Sequence, residues 1–221
     1  MTDHHPAPAE HKSPGIGFER MVFFSDAVFA IAITLLVLDL KLPPQDHGVI
    51  VLEHLIPKLL GFAISFAVIG VYWMAHHRLF ETLKAHDIRV MRLNLLFLAA
   101  VVFLPFPTSL VTEPGQRPAA VIFYACSVAS RGVLMALLAL TARRPGLMRA
   151  GETQGWTVYF AMRAAAPPTI FIASTLLAPY WPTAAMYSWI LVWPAVRVME
   201  RIGRRIGHRI DVRHASEAAA S

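Results

Sequence analysis

FERMVFFSDAVFAIAITLLVLDL, residues Phe18–Leu40, is the stretch on which the reading of the fold turns. From Ala27 to Leu38 it carries no charge and a single hydroxyl, Thr34. The segment reaches bilayer-spanning length, about 20 residues, only when Arg20, Ser25 and Asp26 sit at its entrance. A carboxylate at that depth costs roughly 2.5–3.5 kcal/mol unless it faces protein or water. This is therefore either a buried helix of a very apolar domain or a lining helix of a membrane assembly.

The remainder of the chain decides for the membrane. Of 221 residues, 56% are hydrophobic and only 15% are charged, against about 25% charged in a soluble domain. A globule of this size needs a more polar skin than that. One cysteine, Cys126, leaves no disulfide framework and no zinc-finger spacing. The net charge of +6 is gathered in short loops and a tail, which argues for membrane orientation and against nucleic acid.

Residues 1–17 are polar and rich in His and Pro at their start, and are expected to be a disordered cytoplasmic N-terminus. Residues 18–199 hold six predicted spans: Phe18–Leu40, Leu55–Ala75, Leu93–Thr112 with Pro105 and Pro107 bending it, Pro118–Thr141, Trp156–Ala178 and Tyr180–Met199. The connection Pro43–Gly48 separates the first two, and the last two form an antiparallel hairpin. Arg78, Lys84, Arg89 and Arg92, then Arg143, Arg144 and Arg149, occupy alternate loops, and six arginines follow residue 196. That asymmetry places both termini in the cytoplasm of a multi-pass protein of the cell membrane. Residues 200–221 form a basic tail whose Ile202, Ile206 and Ile210 share one helical face. It reads either as an interfacial helix on anionic lipid or as a solvated tail that enforces topology.

An enzyme has no residues to stand on, since no Walker loop, GxGxxG, HExxH or GxSxG is present. No cofactor is implied. His76 and His77 are adjacent and project about 100° apart on a helix, a poor pair of metal ligands. Transport does have residues. Ile31, Leu35 and Leu38, with Leu42 beyond, make one narrow stripe on the first helix, with Thr34 at its border and Asp39 near its outer end. Asp26 projects about 140° from Ile31, into the protein. A stripe of this kind is also what an ordinary helix seam presents; several copies around an axis turn it into a pore.

Arg20, Phe24, Ser25 and Asp26 match the pattern RxxxFSD, continued by AVFAIAITLLVLDL. Together with Trp73, His76-His77, Asp87, Asn94 and the PFPT of Pro105–Thr108, this resembles the prokaryotic, single-repeat branch of the transmembrane protein 175 family of potassium channels. The resemblance implies an all-α homotetramer of six-helix subunits, each giving its first helix to a central pore. It implies K⁺ as the permeating ion, a hydrophobic constriction at Ile31 with further rings at Leu35 and Leu38, and a hydroxyl selectivity layer at Thr34. An apolar ring gates by dewetting and does not replace a hydration shell, so modest K⁺ over Na⁺ preference is expected. Asp39 concentrates cations at the outer mouth.

Arg20, Ser25, Asp26, Trp73, His77 and Asn94 are expected to satisfy one another at the inner ends of the first three helices, with Asp26 paired to Arg20. The runner-up function is a proton-coupled secondary transporter using Asp26 and His77. Arg131, deep in the fourth span, is expected to pair within the subunit, and Arg163 to reach the inner interface.

Overall fold

The computed structural model describes residues 16–38, 40, 52–113, 117–144, 146–149 and 154–220. The N-terminal segment before them, Asp39, Leu42 and the connection Pro43–Gly48 lie outside the described residues. Helices account for nearly everything described, and no strand is present among these residues.

Six long helical runs make up the described residues. α1 spans Ile16–Leu38 and α2 spans Leu52–Glu81. α3, Ile88–Val102, and α4, Pro105–Thr112, share one run that breaks at Phe103 and Leu104. The break comes directly before Pro105, which has no N–H to give to the turn behind it, although Leu104 itself keeps helical backbone. α5 spans Pro118–Ala142 and α6 spans Gln154–Leu177. α7, Pro182–Ser188, passes through a 3₁₀ turn, Trp189–Leu191, into α8, Val192–Ala220.

Among the described residues, four stretches are long and apolar enough to cross a membrane: Gly17–Leu38, Lys58–Glu81, Ile88–Thr112 and Pro118–Ala142. α6 and the α7–α8 run complete the six. They are less apolar because α6 carries Arg163 and α8 is densely basic after Val196. These two form the antiparallel hairpin that the short Ala178–Trp181 connection requires, and they pack closely along their length.

Small residues set two of the closest approaches. A Cβ on Gly132 of α5 would stand 2.4 Å from the Pro168 ring of α6, and a Cβ on Gly207 of α8 would stand 2.4 Å from the Gly155 carbonyl. Residue 200, where the basic tail is expected to begin, lies inside α8. α8 runs straight through it, with Gly203 and Gly207 buried against α6 and Gly155 N–H donating to Asp211 Oδ1 at 3.0 Å. Ile202 and Ile206 lie one step around the helix from that contact and remain exposed.

The core runs between α1, α2, α3 and α5, with Phe29, Leu36, Ile69, Phe97, Val101 and Met135 all buried. Polar groups inside it are joined to one another. Ser65 meets the Thr108 and Tyr124 hydroxyls at 2.8 and 3.1 Å, and Tyr72 donates to the Val128 carbonyl at 3.0 Å. Each such bond spares a buried hydroxyl the cost of going unpaired, about 1–3 kcal/mol.

Candidate functional site

α1 has two unlike faces. Phe29, Ala32 and Leu36 are buried in the subunit, whereas Ile31 and Leu38 are 56% and 68% exposed. Ala27, Thr34, Phe24 and Arg20 share the exposed side, and Leu35 sits half-buried at its edge. At about 100° per residue the exposed and buried sets fall on opposite sides of the helix. The Thr34 hydroxyl donates to the Ile31 carbonyl at 2.8 Å. Its proton is thereby turned toward the backbone, which leaves the oxygen lone pairs free.

Behind that face, one end of α1 is fastened to α2 and α3. Ser25 is fully buried and donates to Met21 O at 2.8 Å. It accepts from Asn94 Nδ2 at 2.9 Å, and Asn94 Oδ1 meets His76 Nε2 at 2.8 Å. The imidazole of His76 stacks on Phe80 at 4.1 Å and packs beside Phe29 and Phe97 at 5.5 and 5.7 Å. On the flank, Trp73 Nε1 donates to Asp26 Oδ1 at 2.9 Å.

Two expected members stand apart. Arg20 is exposed, and among the described residues no ion pair joins it to Asp26. Six residues along a helix place the two side chains about 120° apart, and the Asp26 carboxylate is held by the Trp73 indole instead. His77 is exposed too, stacked on Trp73 at 5.6 Å and 3.3 Å from Glu81. Asp26 and His77 thus share Trp73 as a neighbour, and no hydrogen bond or ion pair joins them among the described residues.

The histidine in the buried network is His76, which the sequence reading passed over for His77. A signal was there: His76 continues the stripe Ile69, Tyr72, Leu79 at helical spacing, and His77 falls off it. Arg131 is buried and has no carboxylate beside it among the described residues. One of its terminal nitrogens donates to the Ser127 carbonyl and hydroxyl, while Nε and the other terminal nitrogen have no partner among the described residues. Tyr72 and Tyr124 lie next to it. The partner that Arg131 finds within the subunit is its own helix, one turn back at Ser127. No group of three metal-ligating side chains occurs among the described residues.

These features define a polytopic helical membrane protein whose first helix is anchored by a polar network on one side and bare on the other. A family profile described as endosomal/lysosomal potassium channel TMEM175 matches residues 20–105, from the RxxxFSD arginine to the proline that opens α4. The chain is 44% identical over 98 residues to a potassium channel of Streptomyces collinus, covering 42% of this chain and 47% of that protein. It is 42% identical over 115 residues to a potassium channel of Chamaesiphon minutus, covering 47% and 56%. A solved structure, the crystal structure of a lysosomal potassium-selective channel TMEM175 homolog from Chamaesiphon minutus, superposes with a TM-score of 0.64 at 30% identity, covering 87% of this chain and 97% of that one. The chain belongs to the TMEM175 family. Its match spans about half the length of the curated bacterial relatives. The human relative, 29% identical over 124 residues that make up 54% of this chain and 25% of that protein, bears the name endosomal/lysosomal proton channel.

Proposed function

We propose that four copies of this chain assemble with α1 innermost and form a potassium-permeable channel in the cell membrane, both termini in the cytoplasm. The observation that carries the reading is the bare apolar face of α1, with Ile31 and Leu38 exposed while the opposite face is packed. Around a four-fold axis Ile31, Leu35 and Leu38 become apolar rings. A narrow ring of this kind expels water and blocks hydrated ions, and a small dilation readmits them. Thr34 adds a ring of oxygens beside the constriction, and Asp39 supplies negative charge at the outer mouth. Such a pore prefers K⁺ modestly, since no array of carbonyls replaces the hydration shell. The basic C-terminal segment of α8 meets anionic lipid at the inner surface.

The test is bi-ionic K⁺/Na⁺ recording of purified protein in planar bilayers, with reversal potential and unitary current as readouts. Ile31→Asn replaces an apolar ring with amides that hydrate an axial ion, so conductance or open probability rises and K⁺ preference holds or falls. Thr34→Ala removes oxygens and keeps the apolar gate, so K⁺ preference falls without a comparable gain in current. Unaltered current and selectivity in both variants would put the conduction path elsewhere.

A further inference from the structure

A groove of about 400 Å³ opens between α2 on one side and α6 and α8 on the other. Its walls are apolar, with Ala67 and Val71 from α2, Phe171 from α6, and Trp193 and Val196 from α8. The size falls near the lower end of small-molecule pockets, roughly 300–1,000 Å³. Its charged lining residues are Arg163, Arg197 and Glu200. A small adjoining void touches Val71, Ala75, Phe160 and Arg163. Arg163 therefore stands level with the part of α2 that leads to Glu81, and the apolar length of the groove runs away from there toward Phe171 and Ile64.

The charges at that end do not balance. Glu200 is already engaged, accepting from the Tyr159 hydroxyl at 2.7 Å and from Arg204 at 2.5 Å. Arg163 Nε is buried with no hydrogen-bond partner, and no ion pair engages Arg197 among the described residues. Glu200 also feels the charge of Arg163, so one carboxylate serves several cations, and the guanidinium groups of Arg163 and Arg197 line the apolar slot with no ion pair of their own among the described residues. Guanidinium is the group that meets a phosphate with paired, charge-assisted bonds, and an apolar slot inside a bilayer takes a hydrocarbon chain.

We propose that this groove binds one anionic phospholipid of the cytoplasmic leaflet, its acyl chain along α2 and its phosphate on Arg163 and Arg197. The site is separate from the surface contact of the basic tail, and it rests on the orientation adopted under the proposed function. Phosphate alone does not separate anionic from zwitterionic lipid. The net positive charge of the mouth does, because a headgroup ammonium is repelled there while a glycerol is not.

The experiment is a lipid titration of delipidated full-length protein in detergent, followed by native mass spectrometry. Phosphatidylglycerol and phosphatidylcholine are compared on the wild type, on Arg163→Gln/Arg197→Gln, on Arg163→Lys/Arg197→Lys and on Ala67→Phe, which fills the slot. Wild type should hold phosphatidylglycerol at least ten-fold more tightly than phosphatidylcholine. The preference should shrink to two-fold or less in the glutamine pair and survive in the lysine pair. Ala67→Phe should lose tight binding of both lipids at an unchanged number of chains per particle. Equal affinity for the two lipids in wild type overturns the proposal, as does a preference that persists in the glutamine pair. So does an Ala67→Phe protein that still binds lipid tightly but assembles with a different number of chains, since the groove would then be a contact between copies. Lipid binding as expected without ionic current keeps the groove and sinks the channel reading; current without lipid preference does the reverse.

Discussion

Asn94 holds three helices together with one amide, donating to Ser25 of α1 and facing His76 of α2 from its own place on α3. Asn94→Leu is close in volume but takes from Ser25 Oγ the bond it accepts, leaving only its donation to Met21 O, and leaves a ring nitrogen of His76 unpaired, a loss of about 1–3 kcal/mol. His77→Ala, one residue from the network and in contact with solvent, should change stability by no more than ~0.5 kcal/mol. Thermal unfolding in detergent, the variants run side by side, checks both; a larger loss from His77 than from Asn94 would dissolve the network as described. Asp26→Asn sits between the two. An asparagine oxygen still accepts from Trp73, and no buried Arg20 is orphaned, so the loss should stay near ~1 kcal/mol and not reach the ~3–5 kcal/mol of a broken buried ion pair. At this scale Ser25, Asp26, Trp73 and Asn94 were legible because polar residues at apolar helix ends must find partners. Which partner each finds was less so. Two adjacent histidines are alike in composition, and only the buried stripe on α2 separates them. Arg131 shows the limit plainly, since a guanidinium that bonds back to its own helix leaves no complementary residue elsewhere in the chain.

Elements were read best where proline writes the break. The interruption between α3 and α4 follows from Pro105, and the tight turn into α7 follows from Pro179 and Pro182. The length of α8 was not legible from composition, because its apolar first part and basic second part look like a span followed by a tail. What continues is the period, and the sign of it is Gly203 and Gly207 spaced for one face of a helix that lies against α6. Gly207→Ala puts a methyl where the Gly155 backbone already sits, and overpacking of this kind costs roughly 1–3 kcal/mol. The expected result is loss of hydrogen-exchange protection in α8 beyond residue 203, with α1–α5 unaffected. Equal protection in both proteins would mean that α8 is held by something other than this contact. A second element carries a pH prediction. Asp87 caps α3, accepting from Val90 N–H at 2.8 Å and from Arg144 at 3.2 Å. The backbone N–H first, and then Arg144, hold its carboxyl below the usual carboxylate range. A depressed carboxyl contributes above its unfolded pKa, about 3.9, and loses that contribution as pH falls through the folded value. Anchoring of the α2–α3 turn should therefore be flat from neutral to mildly acidic pH and weaken only in strong acid. Asp87→Asn should flatten that acid limb in exchange rates across Ile88–Arg92, and an unchanged limb would assign it to another group.

For the whole molecule, the question is whether the bare face of α1 meets lipid or meets itself. The sequence supplied the stripe but not its surroundings, since an apolar helix face looks the same whether lipid, a neighbouring helix or a thin column of water lies against it. The subunit narrows this by burying Phe29, Ala32 and Leu36 and leaving Ala27, Ile31, Thr34 and Leu38 outside. Ala27 separates the two answers. It lies on the exposed face one turn from Ile31, and alanine is small enough for helices to approach closely there. On a surface that meets only lipid, Ala27→Trp adds apolar area to an apolar solvent and leaves both the subunit and its assembly intact. On four helices converging around an axis, four indoles occupy the space that four methyl groups shared, and the overpacked ring either drives the copies apart or fills the path. Native mass spectrometry should show wild type as four chains. The variant should fold with wild-type helix content by circular dichroism, yet give either a reduced proportion of four-chain particles or four-chain particles whose unitary current is lost. Four-chain assembly with undiminished current in Ala27→Trp would mean that the first helices do not line the path, and the central pore would have to be abandoned.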